Sequence, residues 1–100
     1  MKYKLLVLDV DGTLLNNEKE ISKRTLASLL KVQQMGTRIA LASGRPTYGL
    51  MPLAKILELG NYGGFIVSYN GCHIFFCRYF LLYILYKIIY FNFNSFINFI

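Results

Sequence analysis

Apolar runs that end in polar residues and glycine organise the first part of the chain. The first run occupies residues 5–8, directly before Asp9, and the second occupies residues 37–42, directly before Ser43. Apolar runs without clean alternation are typical of strands that lie in the middle of a parallel sheet. We therefore expect the first strand to be buried on both of its faces.

A helix is predicted between these two strands. Leu26, Leu29 and Leu30 have the spacing of one helix face. Ser22 suits the N-cap, with Thr25 as a second candidate, and Gly36 suits the left-handed residue that follows a helix end. A strand, a helix and a strand with short connections form a right-handed βαβ unit with parallel strands. The carboxyl ends of both strands then face one crevice, which is where ligands bind in such sheets.

The chain after Pro46 predicts a second helix, at residues 47–59. Gly49 and Pro52 lie inside this range, so a kink or a late start is expected. Because glycine and asparagine are concentrated in residues 60–64, this segment is predicted to be a loop.

A third strand is predicted at residues 65–68. The Asn-Gly pair that follows it is a strong hairpin signal, and residues 72–76 suit the returning strand. The third strand is also expected to leave an open sheet edge, which is a site of pairing with other chains.

Size and charge narrow the possible functions. The chain has 100 residues and a net charge of +6, so one domain at most is expected. Its basic residues form no run, and nucleic-acid binding is not predicted. Cys72 and Cys77 form no recognised metal pair, and no secretory signal precedes them, so we expect reduced thiols in a cytoplasmic protein. His73 is interpreted as structural or exposed rather than as a ligand.

Asp9 and Asp11 are the strongest candidates for chemistry. Residues two apart in a strand point to the same side, and buried carboxylates need a partner or a metal. Gly12 allows a sharp turn and the close approach of a ligand to the backbone. Because Mg²⁺ prefers carboxylate, carbonyl and phosphate oxygens, this layout suits magnesium and a phosphate group. The simpler alternative is an Asx turn that closes the strand.

The run Asp9-Val10-Asp11-Gly12-Thr13 resembles the first motif of the haloacid dehalogenase-like hydrolases, which are mostly magnesium-dependent phosphatases. Ser43 resembles the second motif of that superfamily, although a strand-to-helix loop is its simpler reading. Ser43-Gly44-Arg45-Pro46, followed by a strand that ends in Tyr69-Asn70-Gly71, narrows the resemblance to the Cof-type branch. Its members are mostly phosphatases of sugar phosphates or similar small metabolites, and they carry a separate cap domain.

The resemblance implies a role for each matching residue. Asp9 is expected to be the nucleophile, and Asp11 the general acid and base. The Asp9 carboxylate and the Asp11 carbonyl are expected to hold Mg²⁺. Gly12, Ser43 and Gly44 are expected to bind the phosphate group.

Two further residues are implied as substrate contacts at the mouth of the site. These residues are Arg45 and Asn70. For Asn70, plain turn chemistry is an equal alternative. The partner that the resemblance implies is a small phosphorylated metabolite, and no protein partner is predicted.

The resemblance covers about residues 2–74, and the composition changes after it. We divide the chain into residues 1–75, the N-terminal part of the hydrolase core, and residues 76–100, an apolar and aromatic tail. The expected fold is a partial Rossmann-like α/β core, of the doubly wound parallel type, truncated before the cap domain.

Three interpretations of the tail stay open. They are an aberrant segment, a membrane-associating segment and a natural element of the fold. Membrane insertion is not favoured, because Arg78 and Lys87 interrupt the apolar run.

The tail contains no Asp or Glu, so it supplies no late acidic residue for the magnesium site. The expected function is a magnesium-dependent phosphomonoester hydrolase that works through an aspartyl-phosphate and is inactive as this chain. The alternatives are a non-catalytic truncated product and a small membrane-associating protein. The chain is also expected to be poorly soluble, because its tail has the composition of an aggregating segment.

Overall fold

A computed structural model describes residues 3–79 of the chain as one mixed sheet with helices. Most of the predicted tail, residues 80–100, lies outside the described residues. The strands and helices are β1 (Leu5–Asp9), α1 (Lys23–Gln34), β2 (Arg38–Ala42), α2 (Thr47–Ile56), α3 (Leu59–Tyr62), β3 (Phe65–Ser68) and β4 (His73–Phe76).

The four strands lie in the order β1-β2-β3-β4. β1, β2 and β3 are parallel, with Asp9 opposite Ala42 and Ala42 opposite Val67 at their carboxyl ends. β4 pairs antiparallel with β3, and Ser68 lies opposite His73. The predicted βαβ unit and the predicted hairpin are therefore both present, and the α/β fold class is confirmed.

The helices cover one face of the sheet. Crossovers that step from β1 to β2 to β3 with the same hand place α1 and α2 on the same side. The core between the helices and the sheet is apolar, and its strand residues alternate along the chain with residues that point to the opposite face. Its fully buried members include Ile39, Leu41, Leu50, Leu57, Leu59 and Ile66.

The opposite face of the sheet is open along β1 and β4. Leu5 is 51% exposed, Val7 57% and Ile74 67%, whereas Leu6 and Leu8 pack against the core. The expectation that β1 is buried on both faces was wrong, because the described residues place helices on one face only. We call Leu5, Val7 and Ile74 the open face.

The position of the open edge was also predicted wrongly. β3 lies between β2 and β4, so its edges are both paired. Among the described residues, β1 has a neighbour on one side only. The returning strand of the hairpin pairs with β3, and β1 and β4 are the outermost strands among the described residues.

α1 follows the local signals closely. The Ser22 hydroxyl oxygen accepts a hydrogen bond from the Thr25 N–H at 3.1 Å, which satisfies a free donor of the first turn. Gly36 has a φ of 102°, a conformation that favours glycine. The predicted cap and the predicted left-handed residue are both confirmed.

The second predicted helix is divided into two. α2 begins at Thr47 without a late start and ends at Ile56, and Glu58 then adopts a left-handed conformation with a φ of 56°. α3 takes in Leu59, the last residue of the predicted helix, and residues 60–62 of the predicted loop, because a short helix of one turn lacks the apolar periodicity that reveals longer helices. Within residues 3–79, no helix is long and apolar enough to cross a bilayer.

Candidate active site

A polar crevice lies where β1, β2 and β3 reach their carboxyl ends. Its volume is about 330 Å³. Parallel strands bring their carboxyl ends to the same edge of the sheet, so residues distant in sequence meet there. The crevice is lined by Asp9, Ala42, Ser43, Gly44, Val67, Asn70 and Gly71.

The turn after β1 directs both carboxylates out of the core. The Leu15 N–H donates to the Val10 carbonyl oxygen at 3.0 Å, which closes a tight turn over Val10–Leu14. Val10 and Leu14 are buried and anchor the turn. Gly12, at its centre, has a φ of 83°, where a side chain would strain the backbone.

Asp9 and Asp11 differ in their surroundings, although they are two residues apart. Asp9 is exposed, and the described residues give its carboxylate no hydrogen bond or ion pair. Asp11 is held by Arg45, whose Nη2 donates to Oδ1 at 2.6 Å and whose Nε donates to Oδ2 at 3.1 Å. The Lys19 Nζ lies 3.8 Å from the same Oδ1.

These cations change the acidity of Asp11. The hydrogen bonds from Arg45 hold the pKa of the Asp11 carboxyl below its usual value, and the charges of Arg45 and Lys19 act in the same direction. The same hydrogen bonds raise the pKa of Arg45. Asp11 is therefore an ionised, hydrogen-bonded carboxylate at neutral pH.

The loop after β2 presents the Ser43 hydroxyl to the crevice. The Ser43 Oγ accepts a hydrogen bond from the Arg45 N–H at 3.0 Å, and the Ser43 N–H donates to the Val67 carbonyl oxygen at 3.0 Å. Because Oγ serves as the acceptor in the first bond, its own O–H remains able to donate. The local geometry thus orients one hydroxyl donor at the end of β2.

The turn after β3 is tied to the same loop. The Asn70 N–H donates to the Ser43 carbonyl oxygen at 3.1 Å, and the Tyr69 N–H donates to the Arg45 carbonyl oxygen at 3.0 Å. Tyr69 has a φ of 52° and Asn70 a φ of 54°. A Cβ at Gly44 would lie 3.0 Å from the Asn70 Oδ1, so glycine allows the Asn70 amide to pack against this loop.

A family model for haloacid dehalogenase-like hydrolases matches residues 6–87. The chain belongs to the haloacid dehalogenase-like hydrolase family. The match contains the residues that line the crevice at the ends of β1, β2 and β3. Relatives of the chain are named phosphatases.

Similar proteins of this family support the assignment. The chain is 32% identical over 71 residues to YcsE, a 5-amino-6-(5-phospho-D-ribitylamino)uracil phosphatase of Bacillus subtilis. This match covers 71% of the chain and 27% of YcsE. It is 34% identical over 76 residues to a phosphoglycolate phosphatase of Pyrobaculum islandicum, and this match covers 74% of the chain and 32% of that phosphatase. The chain thus spans between a quarter and a third of the length of these relatives.

A solved structure supports the fold. The crystal structure of a haloacid dehalogenase-like hydrolase from Bacteroides thetaiotaomicron superposes with a TM-score of 0.75 at 55% identity. The match covers 76% of this chain and 29% of that one. The resemblance predicted from the strand-end motifs is therefore confirmed for the family and the partial core.

The structure brings most of the residues predicted for the site to one end of the sheet. Asp9, Ser43, Gly44 and Asn70 line one crevice, and Gly12 lies in the turn that follows β1. Their roles in binding and catalysis remain predictions. Arg45 donates hydrogen bonds to Asp11, and its predicted contact with substrate remains a prediction.

Residues beside the site that were not predicted also form polar contacts. The Thr47 hydroxyl lies 2.5 Å from the Ser68 Oγ and 2.8 Å from the His73 Nδ1, which joins α2 to the β3–β4 hairpin. Lys19 reaches Asp11 from the segment before α1. No spacing in the sequence points to either contact, because each depends on where separate loops meet in space.

The described residues include two free thiols and no cluster of three metal-ligating side chains. Cys72 and Cys77 are unpaired with each other, and burial raises the pKa of Cys77 to about 11, so this thiol is unreactive at neutral pH. Within the described part of the chain, no three His, Cys, Asp or Glu side chains are grouped to hold a metal.

Proposed function

We propose that this family member provides the nucleophile and the phosphate-binding half of a magnesium-dependent phosphomonoester hydrolase. The observation that carries the proposal is the Asp9 carboxylate, which has no hydrogen bond or ion pair among the described residues and lies in the same crevice as the Ser43 hydroxyl. A free carboxylate suits nucleophilic attack, and a hydroxyl suits the binding of a phosphate oxygen without added charge.

In the proposed first step, a carboxylate oxygen of Asp9 attacks phosphorus and the bond from phosphorus to the ester oxygen breaks. Asp11, which must first take up a proton from solvent, gives that proton to the departing alkoxide. In the second step, Asp11 accepts a proton from water, which attacks the aspartyl-phosphate. Inorganic phosphate leaves, and Asp9 is restored as a carboxylate.

The phosphate group is assigned to the loops at the strand ends. The Ser43 O–H donates to one of its oxygens, and the backbone N–H groups at Gly12 and Gly44 approach the others. Hydrogen bonds to a charged acceptor are stronger than those to a neutral one. Because catalysis of phosphoryl transfer is mainly positioning and charge stabilisation, these donors contribute to it by holding the phosphate group in place.

The oxygen donors at the end of β1 fit Mg²⁺. Asp9 offers a carboxylate without a partner among the described residues, and the Asp11 carbonyl lies in the adjoining turn. Mg²⁺ commonly takes one or two carboxylates and completes its shell with water and phosphate oxygens. When bound, it offsets the repulsion between the Asp9 carboxylate and the phosphate group.

The substrate class is a small phosphorylated metabolite, by similarity to the relatives that are named for such substrates. For the chain of 100 residues alone, we expect binding of the phosphate group without measurable turnover. Its residues 76–100 contain no acidic residue to complete the magnesium site. A cytoplasmic location belongs to the same proposal, since free thiols suit a reducing compartment.

The test uses beryllium fluoride, which binds an aspartate carboxylate as a tetrahedral mimic of the phosphoryl group and needs no turnover. ¹⁹F NMR of the whole chain with Mg²⁺ is expected to show a bound signal for the wild type and for the control Glu18→Gln. The signal is expected to vanish in Asp9→Asn and after Mg²⁺ is chelated. An unchanged signal in Asp9→Asn would show that Asp9 is not the nucleophile.

A further inference from the structure

The side chain of Arg45 occupies both oxygens of a carboxylate that lies beside the crevice. The two hydrogen bonds to Asp11, at 2.6 and 3.1 Å, form a bidentate pair between residues 34 positions apart. Such a fork is the geometry with which arginine binds carboxylates and phosphates alike. The same guanidinium therefore has the chemistry to hold a phosphate group in place of Asp11.

A second cation, Lys19, reaches the same carboxylate. Its Nζ is 3.8 Å from the Asp11 Oδ1, and its side chain is 71% exposed. Two positive charges thus face one negative charge at this point. The Arg45 guanidinium carries five N–H donors and uses two of them on Asp11, so it keeps donors for another anion. The single charge of Asp11 also leaves one of the two positive charges unbalanced.

The location of Arg45 joins this pair to the phosphate-binding loop. The backbone N–H of Arg45 donates to the Ser43 Oγ, so its side chain begins next to the hydroxyl assigned to phosphate. The side chains of Arg45 and Asp11 are 36% and 45% exposed. Exposed ion pairs are weakly held, and their exchange requires no opening of the core.

We propose that the Asp11 carboxylate is an internal occupant of an anion-binding site formed by Arg45 and Lys19, and that an incoming phosphate group displaces it. The inference rests on the proposed function in placing that phosphate group in the crevice. Displacement has a consequence for catalysis. It releases both oxygens of Asp11, which must be free before this residue contacts the leaving group.

The inference is tested by a double-mutant cycle on binding of inorganic phosphate to the whole chain, measured by isothermal titration calorimetry. Asp11→Asn removes the competing charge and is expected to tighten binding about tenfold, since a hydrogen bond to a charged group is released for the ligand. Arg45→Gln is expected to weaken binding by about the same factor. In the double variant, the gain from Asp11→Asn is expected to disappear, because no guanidinium remains to be released.

Two controls separate displacement from a general charge effect. Asp9→Asn also removes a negative charge from the crevice, but no hydrogen bond or ion pair joins Asp9 to Arg45, so its effect is expected to be the same with Arg45 or Gln at that position. Arg38→Gln removes one positive charge at the amino end of β2 and is expected to leave phosphate affinity nearly unchanged. Near-ultraviolet circular dichroism confirms that each variant keeps its fold.

The outcomes distinguish the inference from the proposed function. If Ser43→Ala weakens binding but the effects of Asp11→Asn and Arg45→Gln are additive, the displacement is refuted while the phosphate site stands. If the cycle is non-additive but Ser43→Ala has no effect, the anion site stands and the proposed crevice is refuted. Absence of phosphate binding in every variant overturns both.

Discussion

The two faces of the sheet differ in how they are covered. On the helix side, Leu41 and Ile66 are fully buried, whereas on the open face Leu5, Val7 and Ile74 are 51, 57 and 67% exposed. Alternate residues of a strand point to opposite faces, so in β1 Leu6 and Leu8 pack against the core while Leu5 and Val7 lie on the open face. The difference indicates that packing against the helices anchors the strands whose ends carry the polar residues.

The candidate site is located between these two regions. Ser43 follows β2 directly and Asn70 lies in the turn after β3, and both strands are anchored by core residues on the helix side. Asp9 is the last residue of β1 and points to the same side as Leu5 and Val7, the side of the open face. The site therefore depends on the covered face for its geometry but is accessible from the open one.

The largest expected effect comes from one substitution made on each face. Leu41→Ala is expected to lower the free energy of unfolding by about 2–5 kcal/mol, because it leaves a cavity in a packed core. Leu5→Ala is expected to lower it by about 1 kcal/mol or less, since half of that side chain already meets water. Urea unfolding of both variants measures the difference.

Equal losses in this leucine pair would break the comparison. They would mean that another part of the protein covers the open face in solution. A second measurement sharpens the result, because charged residues on an exposed apolar surface improve solubility. Val7→Lys is expected to raise the soluble yield, whereas Leu41→Lys is expected to abolish folding because it buries an unpaired charge.

A pair of glycines gives the next effect in size. A Cβ at Gly64 would lie 2.6 Å from the carbonyl oxygen of Ile39 and 3.0 Å from the Leu59 Cβ, so Gly64→Ala is expected to cost about 1–3 kcal/mol through overpacking. At Gly49, within α2, the nearest atoms are 3.9 Å away. Gly49→Ala is expected to stabilise the protein by about 0.5–1 kcal/mol through helix propensity. Thermal unfolding measures both, and a stabilising Gly64→Ala would contradict the close packing.

The sequence predicted the elements whose signals are local. Ser22 and Gly36 predicted the start and the region after the end of α1, because caps act over a few residues. The exposure of Leu5 and Val7 escaped prediction, since an apolar run shows what a strand is suited to contact but not which elements cover it. The short helix α3 escaped for lack of periodicity.

The candidate site divides in the same way. Asp9, Asp11 and Ser43 were predicted from strand ends that a parallel sheet must bring together. The bidentate pair of Arg45 with Asp11 was not, because it joins two loops whose side chains meet only in the folded chain. The fold thus determines which groups are near the crevice, while side-chain packing determines which of them are free.

A smaller effect on stability is expected at the start of α1, one of the helices on the covered face of the sheet. Ser22→Ala removes the acceptor of the Thr25 N–H and is expected to cost about 0.5–2 kcal/mol. Ser28 lies within the same helix and is exposed, so Ser28→Ala is the matched control and is expected to be neutral or slightly stabilising. A Ser22→Ala variant as stable as the control would show that the cap is replaced by water.

The smallest effect on stability is expected at the exposed pair of Arg45 and Asp11, beside the crevice. Arg45→Gln is expected to return the pKa of Asp11 towards its usual value, while Arg38→Gln leaves it unchanged; a ¹³C NMR titration of the carboxyl group measures both. The lowered pKa of Asp11 in the folded state implies that the pair stabilises the fold fully above the unfolded pKa of about 4. That contribution is lost as the pH falls through the lowered pKa, so wild type and Arg45→Gln are expected to converge in stability at acid pH. A difference in stability that stays constant through this range would show that Arg45 acts by packing rather than through the charge of Asp11.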